Sequence, residues 1–397
     1  MRLFTPHRPS QHASLRHAPP PMYQPESGSE SGSKQEEEIM TLKDRHPFPI
    51  DQLNQMQRYL GEEMIEDYHT GELTRRQMLK RLLGICGSAT AAAALLAACG
   101  EGPAAAPAAT AGAAQPTTAP PAEPTAAAAP TAATEATAAA APTTAAAPTA
   151  ASAAAGSTSP LSVAADDPDV TGSDVTFQSD TAINGYVARP KADGTYPGVI
   201  VIHENRGLTD HIRDVARRLA KAGYVALAPD LASRAGGTAQ VGADKITGYF
   251  ANAKPEDLIK DLNGAVDFLG QQSGVQPDKF GTVGFCFGGA FVLRLAAANP
   301  KLAAAVCYYG VTPEPASQMS ATNAAILGQY GATDQRVDAT IPALEQVMQQ
   351  SGKTFQKYLY EGAGHAFNND TGQNYNQEAA VAAWQRTLDW FGKYLKA

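Results

Sequence analysis

An α/β fold, a doubly wound and mostly parallel sheet with helices on both faces, is what this sequence predicts for residues 166–397. Three observations carry the prediction. Short β-branched and apolar runs alternate with helical stripes along this part of the chain, which forces a largely parallel sheet covered on two sides. Glycine-rich loops follow three of the predicted strands, and they bear Cys286, Asp334 and His365 in that order. The composition changes sharply at about residue 165, so the remaining roughly 230 residues are read as one domain able to bury a full core.

The elements follow in order. Val175 to Gln178 and Ile183 to Arg189 read as an opening antiparallel pair, and Gly198 to His203 as a strand buried on both faces. Thr209 is placed to cap a helix whose Ile212, Val215, Ala216 and Leu219 share one face, with Gly223 as its stop. Tyr224 to Ala228 is the next strand. A helix from Pro255 to Leu269 starts with proline in its first turn. Phe280 to Phe285 runs as a strand into a glycine-rich turn and then into a helix, Ala290 to Ala298. Strands are expected at Ala304 to Tyr309, Ala324 to Tyr330 and Thr354 to Tyr360, and helices at about Ala339 to Gln350 and Gln377 to Tyr394. Ligands of such sheets bind at the carboxyl ends of the strands.

The first 165 residues read differently. Residues 1–73 are expected to be disordered or a mis-called extension, with Met40 as an alternative start and no suggestion of chemistry. Thr74-Arg75-Arg76-Gln77-Met78-Leu79-Lys80 has a twin-arginine pattern, and the small-residue apolar run Leu82 to Ala98 leads into Cys99. Residues 74–99 thus resemble an export signal ending in a lipobox, with Cys99 the site of acylation. A single membrane-spanning anchor is the bland alternative, but the run is at the short limit for spanning. Residues 100–165, rich in Ala, Pro and Thr, read as a disordered tether. The expected location is the outer face of a cell membrane, held by lipid, or the periplasm.

Net charge is −8 and the C-terminal part has no Lys/Arg cluster, so a nucleic-acid partner is not expected. A small-molecule partner and a monomeric chain are. The four cysteines make no disulfide framework, and a Cys286 to Cys307 bridge is disfavoured because the two belong to different core elements. No His/Cys/carboxylate group has metal-ligand spacing, so neither metal nor organic cofactor is expected.

The chemistry centres on Gly284-Phe285-Cys286-Phe287-Gly288-Gly289, the G-x-nucleophile-x-G spacing of a strand that turns sharply into a helix. A cysteine there sits at a helix N-terminus, whose dipole favours the attacking thiolate. A buried structural cysteine before a glycine turn is the competing reading. Gly331-Ala332-Thr333-Asp334 and Gly362-Ala363-Gly364-His365 follow later strands, acid before histidine. In that arrangement Asp334 fixes the tautomer of His365, which exchanges a proton with Cys286.

With His203-Glu204, Ala228-Pro229-Asp230-Leu231, the Gly-Phe-Cys-Phe-Gly-Gly elbow and Gly-Ala-Gly-His-Ala-Phe around His365, residues 174–395 resemble the dienelactone hydrolase family of the α/β-hydrolase superfamily. The resemblance implies that Glu204 pairs with the nucleophile and helps form the thiolate. It implies an oxyanion hole from the backbone N–H groups of Phe287 and Asn205, and a substrate carboxylate held by Arg234. A second substrate arginine is expected after the histidine, where this chain has Asn368 and Asn369. The implied activity is cysteine-dependent hydrolysis of small esters or lactones. Its rivals are a broad surface esterase with an acyl pocket lined by Tyr249, Phe250 and Phe367, and a catalytically idle hydrolase fold used as a binding module. A thiol-redox role lacks a C-x-x-C pair.

Overall fold

The computed structural model describes residues 52–99 and 159–396. The proposed extension 1–39, Met40 and most of the Ala/Pro/Thr tether lie outside the described residues.

Three helices come first: α1 (Gln55–His69), α2 (Arg75–Cys86) and α3 (Ala89–Ala98). The sequence reading expected no order before Thr74, and α1 corrects it. Its start is a reciprocal capping box, in which the Asn54 side chain accepts from Gln57 N at 2.8 Å and Asn54 N donates to Gln57 Oε1 at 3.0 Å. Met56, Tyr59, Leu60, Glu63 and Met64 recur at helical spacing and are buried. Gly61 is pressed against Leu95 of α3, so the three helices pack on one another. No single described helix is long and apolar enough to cross a membrane; α2 and α3 would be only as a pair, by length and composition, and they meet at a bend of 114°.

The elements that follow are β1 (Val170–Gln178), β2 (Ala182–Pro190), β3 (Tyr196–Ile202), α4 (Asp210–Lys221), β4 (Val225–Pro229), α5 (Thr238–Val241), α6 (Ile246–Asn252), α7 (Pro255–Gly270), β5 (Val275–Phe285), α8 (Phe287–Ala298), β6 (Leu302–Tyr308), β7 (Ala325–Gly331), α9 (Gln335–Asp338), α10 (Ile341–Gln350), β8 (Phe355–Tyr360) and α11 (Gln377–Leu395). The strands form an eight-stranded mixed sheet in the order β1-β2-β4-β3-β5-β6-β7-β8. The two pairings of β2 are antiparallel and the rest are parallel. This is the α/β-hydrolase arrangement. The interior strands β4 and β7 are buried along their whole length, as strands sandwiched between helical layers must be. The edge strand β8 alternates with exposed positions.

Strand and helix boundaries differ from the sequence reading mostly by a few residues. Thr209 stands at the N-cap of α4, but its side chain makes no cap hydrogen bond. The short helices α5 and α6 were not foreseen, because four and seven residues give too little periodicity to register.

Candidate active site

The parallel register lines up the carboxyl ends of β3, β5, β6, β7 and β8. Just past those ends stand Glu204, Cys286, Tyr309, Asp334 and His365. Cys286 occupies the apex between β5 and α8 with φ 55° and ψ −120°, a backbone conformation that a side chain adopts only under strain. Only glycine fits two and three residues further on. A Cβ on Gly288 would overlap the carbonyls of Ile202 and His203, and one on Gly289 would overlap that of Tyr308.

The structure brings Cys286, Asp334 and His365 together. His365 Nδ1 and Asp334 Oδ2 are 2.5 Å apart, with 5% and 1% of their side chains exposed. Asp334 is itself tied down, accepting from Val337 N at 3.2 Å. Burial by itself would lower the histidine pKa, but the charge and hydrogen bond of Asp334 outweigh it and hold His365 well above its ordinary value. Burial would raise Asp334, yet the imidazolium pulls it below the usual carboxylate range. Apart from Cys286, which it faces, His365 Nε2 has no hydrogen-bond partner.

Glu204 is placed differently from the expectation that it pairs with the nucleophile. Its Oε2 accepts from Asn369 Nδ2 at 2.7 Å, while its buried Oε1 has no partner. The partner of Cys286 is Glu63 of α1, whose two carboxylate oxygens lie 3.3 and 3.2 Å from Sγ. Asn205 Nδ2 donates to the same Glu63 at 2.7 Å. Tyr59 adds its hydroxyl 3.5 Å from Sγ. Burial, with the Glu63 charge added, pushes the Cys286 thiol up to about 11. Burial likewise raises Glu63. Neither residue was foreseen at the site; the Asn54 capping box and the apolar spacing of Met56, Tyr59, Leu60 and Met64 were the signals that marked their helix.

A Glu63 oxygen, Cys286 Sγ and a His365 ring nitrogen lie within 4.8 Å of one another, a donor set that a zinc-type ion accepts. Chain spacing could not reveal it, because Glu63 and Cys286 are 223 positions apart.

Arg234 also departs from expectation. Its Nε and Nη2 make two 2.8 Å bonds to the Asp261 carboxylate and it pairs with Asp180, so its fork is filled by the protein's own acids. It does not line the cavity beside Cys286, whereas Asn205, Arg206, Glu204 and Asn369 do. Asn368, at one of the two positions where a second arginine was expected, is buried with both amide atoms unpartnered. Phe250 and Phe367, expected in an acyl pocket, are fully buried. Phe250 packs on His203 and Phe287, and Phe367 on Tyr309 and Tyr360. Phe287 begins α8 immediately after Cys286. All four cysteines are free thiols, and Cys99 is exposed at the end of α3.

The family marks have structural work too. His203 Nδ1 faces the Glu204 carbonyl at 2.7 Å and its Nε2 accepts from Leu231 N at 3.2 Å, so the ring is neutral with its proton on Nδ1. It joins the loop after β3 to the loop after β4. Asp230 accepts from the backbone N–H groups of Ala232 and Thr238 at 3.0 and 2.7 Å.

The dienelactone hydrolase family profile matches residues 183–395, more than half of the chain. A protein of Methylorubrum extorquens named "Putative carboxymethylenebutenolidase" is 35% identical over 227 residues, covering 54% of this chain and 78% of that one. A Bradyrhizobium protein named "Probable 2-oxo-3-(5-oxofuran-2-ylidene)propanoate lactonase" is 35% identical over 214 residues, 51% of this chain and 86% of its own. The crystal structure of a "Putative Dienelactone Hydrolase" from Klebsiella pneumoniae superposes with a TM-score of 0.53 at 33% identity, covering 57% of this chain and 99% of that one. With the family profile spanning the catalytic domain from β2 to α11, the chain belongs to the dienelactone hydrolase family.

Proposed function

We propose that this member of the dienelactone hydrolase family hydrolyses small esters or lactones with Cys286 as nucleophile. The observation that carries the reading is the 2.5 Å pair of His365 and Asp334 past the ends of β8 and β7, on the same edge of the sheet as the strained Cys286 apex. In its neutral form His365 takes the thiol proton, and the sulfur adds to the carbonyl carbon. The C–O bond then breaks, the alcohol oxygen takes the proton back, and a thioester remains. Water, deprotonated by the same imidazole, adds to the thioester and releases the acid with the thiol restored. The backbone N–H groups of Phe287 and Asn205 are the proposed oxyanion donors. Glu204, with one free buried oxygen, is proposed to approach Cys286 once Glu63 is away. The Bradyrhizobium relative's name supports a lactone as the substrate.

Export and anchoring are proposed on the sequence alone. The twin-arginine pattern at Thr74 to Lys80 and the lipobox-like ending at Cys99 support a chain carried out of the cytoplasm and held at a membrane by acylation of Cys99. A monomer is proposed.

The test is hydrolysis of p-nitrophenyl acetate and of a dienelactone by the full chain carrying Tyr59→Ala and Glu63→Ala, which clears the space over Cys286, beside the same chain with Cys286→Ala. Turnover that vanishes with the thiol is the expected result. Turnover of either substrate that survives the loss of Cys286 overturns the assignment of the nucleophile, and no turnover in either chain overturns the hydrolase reading.

A further inference from the structure

We propose that α1 is an intramolecular plug, with Glu63 and Tyr59 as its tip, that keeps Cys286 closed until the chain is severed just ahead of Cys99. The proposal rests on Cys286 being the reactive thiol of this site.

Space comes first. The cavity that Cys286, His365, Glu204 and Asn205 share with α1 has a volume of about 40 Å³. That is room for a few water molecules, whereas sites for small organic ligands start at about 300 Å³. No ester reaches the sulfur while α1 is docked. Chemistry points the same way. Cys286 donates to a carboxylate, so its proton is held on sulfur, and the nucleophile exists as thiol rather than thiolate. A carboxylate supplied by the enzyme to activate the sulfur would have to leave a path for substrate, and Glu63 leaves none.

The docking is built from specific contacts on both flanks of the tip. Gln55 Nε2 donates to Thr312 O at 2.8 Å, and Arg58 pairs with Glu314 at 2.6 Å. Glu66 of α1 is held by Arg336 at 3.2 Å, and Glu72, in the turn that follows α1, by Arg206 at 3.3 Å. The Arg336 guanidinium also lies 4.7 Å from the centre of the Tyr59 ring. The catalytic domain thus meets an acidic helix with two arginines at the mouth of its site.

Connectivity supplies the release. Every residue of the plug and of α2 and α3 precedes Cys99, and the catalytic domain follows residue 159. While the chain is intact, residues 100–158 join the plug covalently to the catalytic domain, so docking is intramolecular, with an effective concentration of millimolar order. A cut ahead of Cys99 makes docking bimolecular, so at micromolar protein the ratio of docked to released plug falls by up to about 10³. Processing at the lipobox-like sequence would in this way switch the enzyme on as the chain reaches its membrane.

The experiment measures the rate at which iodoacetamide alkylates Cys286 in the full chain, followed by mass spectrometry of the peptide. It compares the intact chain, the Tyr59→Ala/Glu63→Ala chain, and a chain cut at a protease site inserted between residues 101 and 158. Cys307, fully buried within β6, reports an intact fold by staying unlabelled. At pH 8.5, at least a tenfold faster alkylation in the variant and in the cut chain is expected. Equal rates in the intact chain and the variant overturn the plug. Acceleration in the variant but not on cutting overturns release by cleavage. Alkylation needs an open thiolate and no turnover, so a chain labelled faster that hydrolyses neither ester sinks the hydrolase reading and leaves the plug standing.

Discussion

Replacing Asp334 with Asn keeps the shape of the side chain and removes its charge, which isolates what that charge does for His365. The pair is 2.5 Å apart and nearly all of it is out of water. With charge centres about 4 Å apart and an effective dielectric near 20, the lost attraction is about 4 kcal/mol. The Asn amide can also donate to Nδ1, which forces the ring proton onto Nε2, where it cannot accept from the thiol. Four kcal/mol is about three orders of magnitude in rate. The expectation is therefore a fall of about 10³ in kcat/KM for p-nitrophenyl acetate, measured in the Tyr59→Ala/Glu63→Ala background so that access does not limit the rate. Thermal unfolding checks that the variant is folded. A folded Asp334→Asn chain that loses less than tenfold would refute the role given to the pair.

Other predictions concern pH, the elbow and a buried ion network. Burial and the charges of Glu63 and Glu72 push Asp67 of α1 up to about 7 in the docked state. A raised acid favours docking when protonated, so that contribution is full at low pH and is lost as pH rises through about 7. The cut chain should retain its N-terminal fragment in gel filtration at pH 6 and lose it at pH 8.5, and Asp67→Asn should flatten the difference; identical retention at both pH values in the unmodified sequence would contradict this. Gly288→Ala drives a methyl into two backbone carbonyls that cannot move aside, so its cost should exceed the roughly 1–3 kcal/mol of ordinary overpacking, read as a lowered Tm or insoluble protein. Asp370→Ala takes from Arg218, 1% exposed, one of its two carboxylates and leaves His211 Nδ1 without its 2.9 Å partner. A loss of about 3 kcal/mol in denaturant unfolding is expected, and a midpoint unchanged from the parent chain would show that the network does not stabilise the fold.

The sequence by itself determined the sheet, because alternation of buried strand runs with helical stripes is a local, periodic property. It determined where Cys286, Asp334 and His365 stand along the chain, because glycines at 284, 288 and 289 and loops after predicted strands are local as well. Tertiary structure alone decided the partners. Arg234 has the right fork for a substrate carboxylate, yet Asp180 and Asp261 are brought close enough to fill it, from positions no spacing rule connects. Glu204 has the right neighbours in sequence, yet Glu63 stands at the sulfur, because α1 docks across the strand ends. Helical spacing announces that a helix has a face to bury, and only the assembled surface of Arg206, Arg336, Thr312 and Glu314 fixes where that face goes.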